Sequence, residues 1–149
     1  MRRLRGEVTG KKLLIGWIAV FIVWMVGDFV IHGGILRSYY TQFQGVFRSP
    51  EESQKYLPIM VLAHLVMAFA FSMIFSETAP DRPWLQRGLR FGIAVALLMA
   101  VPTYAIYFVV QPISGTLASL QILLGSLLVI ILGVVAGFII RSDTASERV

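Results

Sequence analysis

The sequence predicts an all-α integral membrane bundle of four transmembrane helices, and three observations carry that reading. Hydrophobic residues make up 57% of the 149-residue chain and charged residues only 14%, against roughly 25% charged in soluble domains. The apolar residues gather into four long runs, at 13–36, 58–76, 91–111 and 117–140. Each run reaches the roughly 17–25 residues that a helix needs to cross the hydrocarbon core. Too little chain is left between them for a separate water-soluble unit, so residues 1–149 form one domain.

The first run follows a basic leader, Arg2, Arg3, Arg5, Lys11 and Lys12. It is longer than a signal-peptide core of ~7–15 residues, and no small-x-small cleavage site follows it. It therefore reads as an uncleaved first span, with Trp17 in the interfacial belt. Residues 37–57 read as an interfacial segment, because Tyr39, Tyr40, Phe43 and Phe47 recur at helical spacing among polar residues. Ser49-Pro50-Glu51-Glu52 then supplies a capping serine, a proline at the first helical position and a reciprocal glutamate. A helix should start there and run on, bending at Pro58, into the second span.

The segment from Glu77 to Arg90, with two prolines, Trp84 and three arginines, reads as a polar turn carrying an interfacial anchor. Pro102 removes a backbone donor from the third span and should bend it. The uncharged connection 112–116 is a tight hairpin, so the last two spans are antiparallel neighbours. On the fourth span Gly125, Gly133 and Gly137 share a face at small-xxx-small spacing. Such a ridge admits a close backbone approach from another helix of the chain or from another subunit, self-association included.

The basic residues also set an expected orientation. Ten of the 13 Lys and Arg fall in the leader, the 77–90 segment and the tail, and three in 37–57. The positive-inside rule then puts both termini in the cytoplasm. The net charge of +5 hugs the span ends and forms no nucleic-acid patch. The absence of cysteine removes disulfides, thiolate metal sites and thiol catalysis.

Ionisable and strongly polar side chains inside the spans are costly and mark the candidate site. Asp28 and His32 stand one turn apart on the first span. His64 lies near the start of the second, Tyr104, Tyr107 and Gln111 near the end of the third, and Gln121 near the start of the fourth. In an up-down-up-down bundle all seven fall at one end, as an outward-facing polar pocket. Such a network can be retained for architecture alone. The same residues can instead bind a metal through His32, His64 and Asp28, ligate a haem between the two histidines, or relay protons. No nucleophile motif, phosphate loop or carboxylate pair points to an enzyme.

Trp24-x-x-x-Asp28-Phe29-Val30-Ile31-His32-Gly33, the loop prolines and the Tyr/Gln-Pro end of the third span resemble small uncharacterised four-helix proteins of the bacterial inner membrane. These proteins bring no assigned activity, so the resemblance implies architecture and location only. The expectation is a non-enzymatic multi-pass protein, an accessory or assembly subunit packed laterally in a membrane complex. The alternative is a metal- or haem-binding redox or handling protein that uses the polar pocket.

Overall fold

A computed structural model describes residues 10–43, 45–79 and 82–141, so most of the basic leader and the last eight residues lie outside the described residues. Four helices are long and apolar enough to cross a membrane: Gly10–Ile35, Leu57–Glu77, Trp84–Val110 and Gly115–Ile139. No strand occurs among the described residues.

The fourth span is the hub. It packs along both the first and the third spans and touches the second, while the first and second form their own extended contact. The ring pairs Phe71–Phe91 and Phe75–Phe91, at 4.9 and 5.2 Å, close the remaining side between the second and third spans. Val20, Phe75, Leu117, Leu132 and Ile140 lie wholly buried at the centre. The outward faces carry Leu98, Val109 and Leu123, the kind of surface that lipid covers.

Two spans carry wider i→i+5 turns, Phe29–Ile35 at the end of the first and Ala96–Ala100 within the third. The second of these immediately precedes Pro102, so the helix absorbs the missing donor by widening its turn ahead of the proline. In the 37–57 segment the chain forms short helices Arg37–Tyr40 and Pro50–Lys55. Ser49 Oγ caps the latter by accepting the Glu52 N–H at 3.1 Å. The reciprocal half of the expected capping box is replaced, because the Glu52 carboxylate takes the Arg48 Nε–H at 3.3 Å. The break before the second span falls at Tyr56, with φ −101° and ψ 4°, and Pro58 sits harmlessly in the new first turn.

One expectation needs correction. The third span starts at Trp84, not near Phe91, so most of the supposed 77–90 turn is helix. The stretch reads as a turn because of its prolines and three arginines, yet the Arg87 side chain is only 7% exposed. Its guanidinium donates to the Phe75 and Thr78 carbonyls at 2.8 and 3.0 Å, to Thr78 Oγ1 at 2.8 Å and to the Ile140 carbonyl at 3.5 Å. It thus neutralises the orphan carbonyls at the ends of the second and fourth spans, where the helix dipole favours a cation. Trp17, expected in an interfacial belt, donates its indole N–H to the Leu65 carbonyl at 3.0 Å and sets its ring edge on Phe69. It joins two helices.

The glycine ridge of the fourth span meets a second ridge inside the chain. A Cβ on Gly133 would overlap the Gly88 carbonyl oxygen and come within 2.8 Å of the Gly92 Cα. One on Gly137 would overlap the Trp84 carbonyl. Gly88 and Gly92 repeat the same four-residue spacing on the third span. The partner of this ridge is therefore a helix of the same chain, with backbone against backbone.

Gly133→Leu should accordingly destabilise the bundle by about 1–3 kcal/mol or more, the usual cost of overpacking a tight contact. Gly115→Leu, where a Cβ meets nothing within 4 Å, should cost far less. Denaturant titration in detergent measures both, and equal stabilities would mean that the two ridges do not touch.

Candidate functional site

The end of the bundle opposite Arg87 brings together side chains from all four spans and from the short helix Arg37–Tyr40. His64 stands at its centre, 6% exposed. Its Nδ1 lies 2.8 Å from the Met60 carbonyl oxygen, one turn earlier on the same helix. Its Nε2 lies 2.8 Å from Asp28 Oδ2 across the helix–helix join. Trp24 covers the imidazole edge-on, 6.2 Å between ring centres, and in turn packs against Phe71.

This geometry dictates where protons sit. A carbonyl oxygen only accepts, so Nδ1 carries hydrogen. A 2.8 Å contact between Nε2 and a carboxyl oxygen then needs one more proton between them. It rests either on the ring, as imidazolium facing carboxylate, or on Asp28, as acid facing neutral imidazole. In both forms the pair holds one proton and has no net charge. That is the state a low-dielectric site favours.

His32 extends the cluster. Its Nδ1 lies 2.5 Å from Tyr40 Oη and its Nε2 3.2 Å from Tyr104 Oη. The same Nε2 stands 4.0 Å from Asp28 Oδ1, beyond hydrogen-bond range but close enough to feel its charge. Gln121 Nε2 donates to Tyr40 Oη at 3.2 Å. When the Tyr40 hydroxyl donates to His32 Nδ1, His32 Nε2–H faces the Tyr104 oxygen, and the other tautomer of the ring exchanges these roles. Burial raises the Tyr40 pKa above its ordinary value, opposed by the Gln121 hydrogen bond and helped by the Asp28 charge. Tyr40 thus stays a neutral phenol that can donate. Gln121 Oε1 is buried without a partner among the described residues.

Local sequence explains the placement. The wider turn Phe29–Ile35 begins directly after Asp28, and turns of this kind recur at functional positions. Gly125 leaves the hollow that the Tyr104 ring fills, since a Cβ there would come within 2.8 Å of that ring. Of the expected pocket residues, Asp28, His32, His64, Tyr104 and Gln121 converge. Among the described residues Tyr107 meets the Tyr104 ring, 6.2 Å between centres, and is 43% exposed. Gln111 ends the third span, its backbone N–H bonded to the Tyr107 carbonyl.

Sequence reading missed Tyr40 in this role, having placed it in an interfacial segment. Among the described residues, no three His, Cys, Asp or Glu side chains are grouped to hold a metal ion. In the observed arrangement both nitrogens of each histidine already face internal partners. Comparison with protein-family models, curated proteins and solved structures gave no significant match.

Asp28→Asn should remain nearly as stable as the parent, because an Asn amide N–H can donate to a neutral His64 Nε2. Asp28→Leu should lose about 1–3 kcal/mol by leaving that buried nitrogen unpaired. Thermal unfolding in detergent separates the two. Equal stability of the Leu variant and the parent would mean that the pair contributes nothing.

Proposed function

We propose that the chain is a non-enzymatic subunit of the inner membrane, an accessory or assembly component that acts laterally within a larger membrane complex. One observation carries this reading: the histidines and Asp28 spend their hydrogen-bonding capacity on one another and on Tyr40, Tyr104 and Met60. A cluster so committed favours a role in holding the bundle over one in presenting ligands to a substrate or metal. The small share of chain between the spans supports the same view, since recognition then falls to helix faces. The third span offers such a face at Leu98 and Val109, which are 75% and 81% exposed.

The runner-up, proton binding and relay, draws on the proton shared by Asp28 and His64. It also draws on their incomplete closure, since the Asp28 and His32 side chains remain 28% and 31% exposed. Hydrogen bonds join His64 to Asp28 and His32 to Tyr40, and the 4.0 Å step from Asp28 to His32 between them is the gap that a transferred proton would have to cross. The metal or haem alternative gains nothing from the observed donor set.

A photoreactive side chain at Leu98 or Val109, activated in intact membranes, should give discrete protein crosslinks, while the purified protein shows no Soret band and no stoichiometric metal. Lipid adducts alone would contradict the subunit reading, and a Soret band or bound metal would revive the ligand-binding one. Under proton relay, proteoliposomes should show proton uptake that Asp28→Asn abolishes. Absence of uptake in the parent removes that reading.

A further inference from the structure

The first span leads into a short turn, Arg37–Tyr40, which local backbone bonds continue to Phe43. Arg37, Ser38, Thr41 and Gln42 are exposed, whereas Tyr39, Tyr40 and Phe43 pack on the core. The turn thus has a polar outer face and an aromatic inner one, and it covers the His32 end of the bundle. Leu36, wholly buried, anchors its near end. Among the described residues, the side-chain hydrogen bonds that tie the turn to the spans both use the Tyr40 hydroxyl. They join it to His32 Nδ1 at 2.5 Å and to Gln121 Nε2 at 3.2 Å. Those of Thr41 and Gln42 run to the Ser38 carbonyl, inside the turn.

A neutral His32 suits this closed arrangement. One ring nitrogen donates and the other accepts, which matches two phenolic hydroxyls that can each do either. An imidazolium has two donors and no acceptor, and the covering turn keeps water from it. Its charge would also go unbalanced. Asp28, on the same span, faces it with Oδ1 at 4.0 Å from Nε2. The other Asp28 oxygen meets His64 of the second span, and that pair already holds one proton and no net charge. Tyr104 of the third span, with Tyr107 beside it, and Tyr40 are phenols that stay neutral throughout the histidine range. Gln121 of the fourth span does not titrate. Arg37, on the turn itself, has the same sign as an imidazolium.

We propose that this turn is an acid-operated lid: a proton taken up by His32 breaks the Tyr40 latch and uncovers the Asp28–His64 pair. Neutral His32 holds the lid shut, and the open form lets water reach the charged ring. The closed fraction therefore falls as the pH falls through the histidine range, centred on roughly 6.5 for an unperturbed ring. The lid works in this way whether or not the chain serves as a subunit of a larger complex.

The chain has no cysteine, so two introduced thiols take spin labels uniquely. Thr41→Cys on the lid and Ala79→Cys at the remote end of the bundle are both exposed positions. Pulsed dipolar distance measurement on the full-length protein in nanodiscs then reports the lid. Between about pH 8 and about pH 5, either side of the ordinary histidine value, a longer and broader component should replace most of the shorter one. His32→Gln keeps a donor and an acceptor but takes no proton, so it should stay closed at both. His32→Asn is measured beside it, so that loss of the fold in one variant leaves the other. Tyr40→Phe lacks the latch and should be open at both. Unchanged distances in the parent overturn the proposal. A pH response that survives either His32 variant overturns it too, by giving the titration to another group such as the Asp28–His64 pair. Tyr40→Phe that remains closed at the higher pH overturns it equally.

Discussion

A carboxyl group inside a membrane helix must find its partners within the protein, because the hydrocarbon offers none. Placing an aspartate near the centre of a span costs about 2.5–3.5 kcal/mol on insertion scales. Here that constraint falls on Asp28, and the shape of one end of the molecule follows from its resolution. Asp28 Oδ2 takes His64 Nε2 across the join of the first two spans. Met60 then fixes the far side of the imidazole, and Trp24 covers it. His32 carries the arrangement on to Tyr104 of the third span and to Tyr40, through which Gln121 of the fourth is reached. Apolar packing alone would leave the rotation of each helix weakly specified. A hydrogen-bonded cluster drawn from every span specifies all four rotations together.

The other end is closed by a different solution to the same problem. Helix ends leave carbonyls without partners. Arg87 answers several of them at once, with its guanidinium between the ends of the second and fourth spans and over the Phe75 ring at 4.3 Å. Lys12 adds a bond to the Arg141 carbonyl at 3.2 Å. Starting beside Arg87, glycines at 88, 92, 133 and 137 let two backbones approach in the absence of a hydrophobic drive between helices. The bundle is therefore held by polar clusters at its ends and by close backbone packing between them.

Much of this was legible in the sequence, for reasons that differ by feature. The four spans stand out because length and hydropathy are themselves the physical requirement for crossing a bilayer. The polar cluster was legible in outline, since an antiparallel bundle brings residues 28, 32, 64, 104 and 121 to one level. Tyr40 was not, because its role depends on how the chain folds back after Leu36, which no periodicity encodes. The start of the third span was misread because prolines and three arginines were taken to mean a polar turn, whereas Arg87 is charged and buried. That error also left Gly88 outside the span, although with Gly92 it partners the ridge that was recognised on the fourth span.

The central claim is that Asp28 and His64 act as one unit, each present because the other is. A double-mutant cycle for unfolding in detergent tests it most directly, with Asp28→Leu, His64→Leu and the two combined. Each single change leaves a buried polar group without its partner, whereas the double change removes both. The account predicts that the double variant is more stable than the sum of the single losses requires, by about 1 kcal/mol or more. Strict additivity of the two losses would show that the contact carries no energy and would contradict the account.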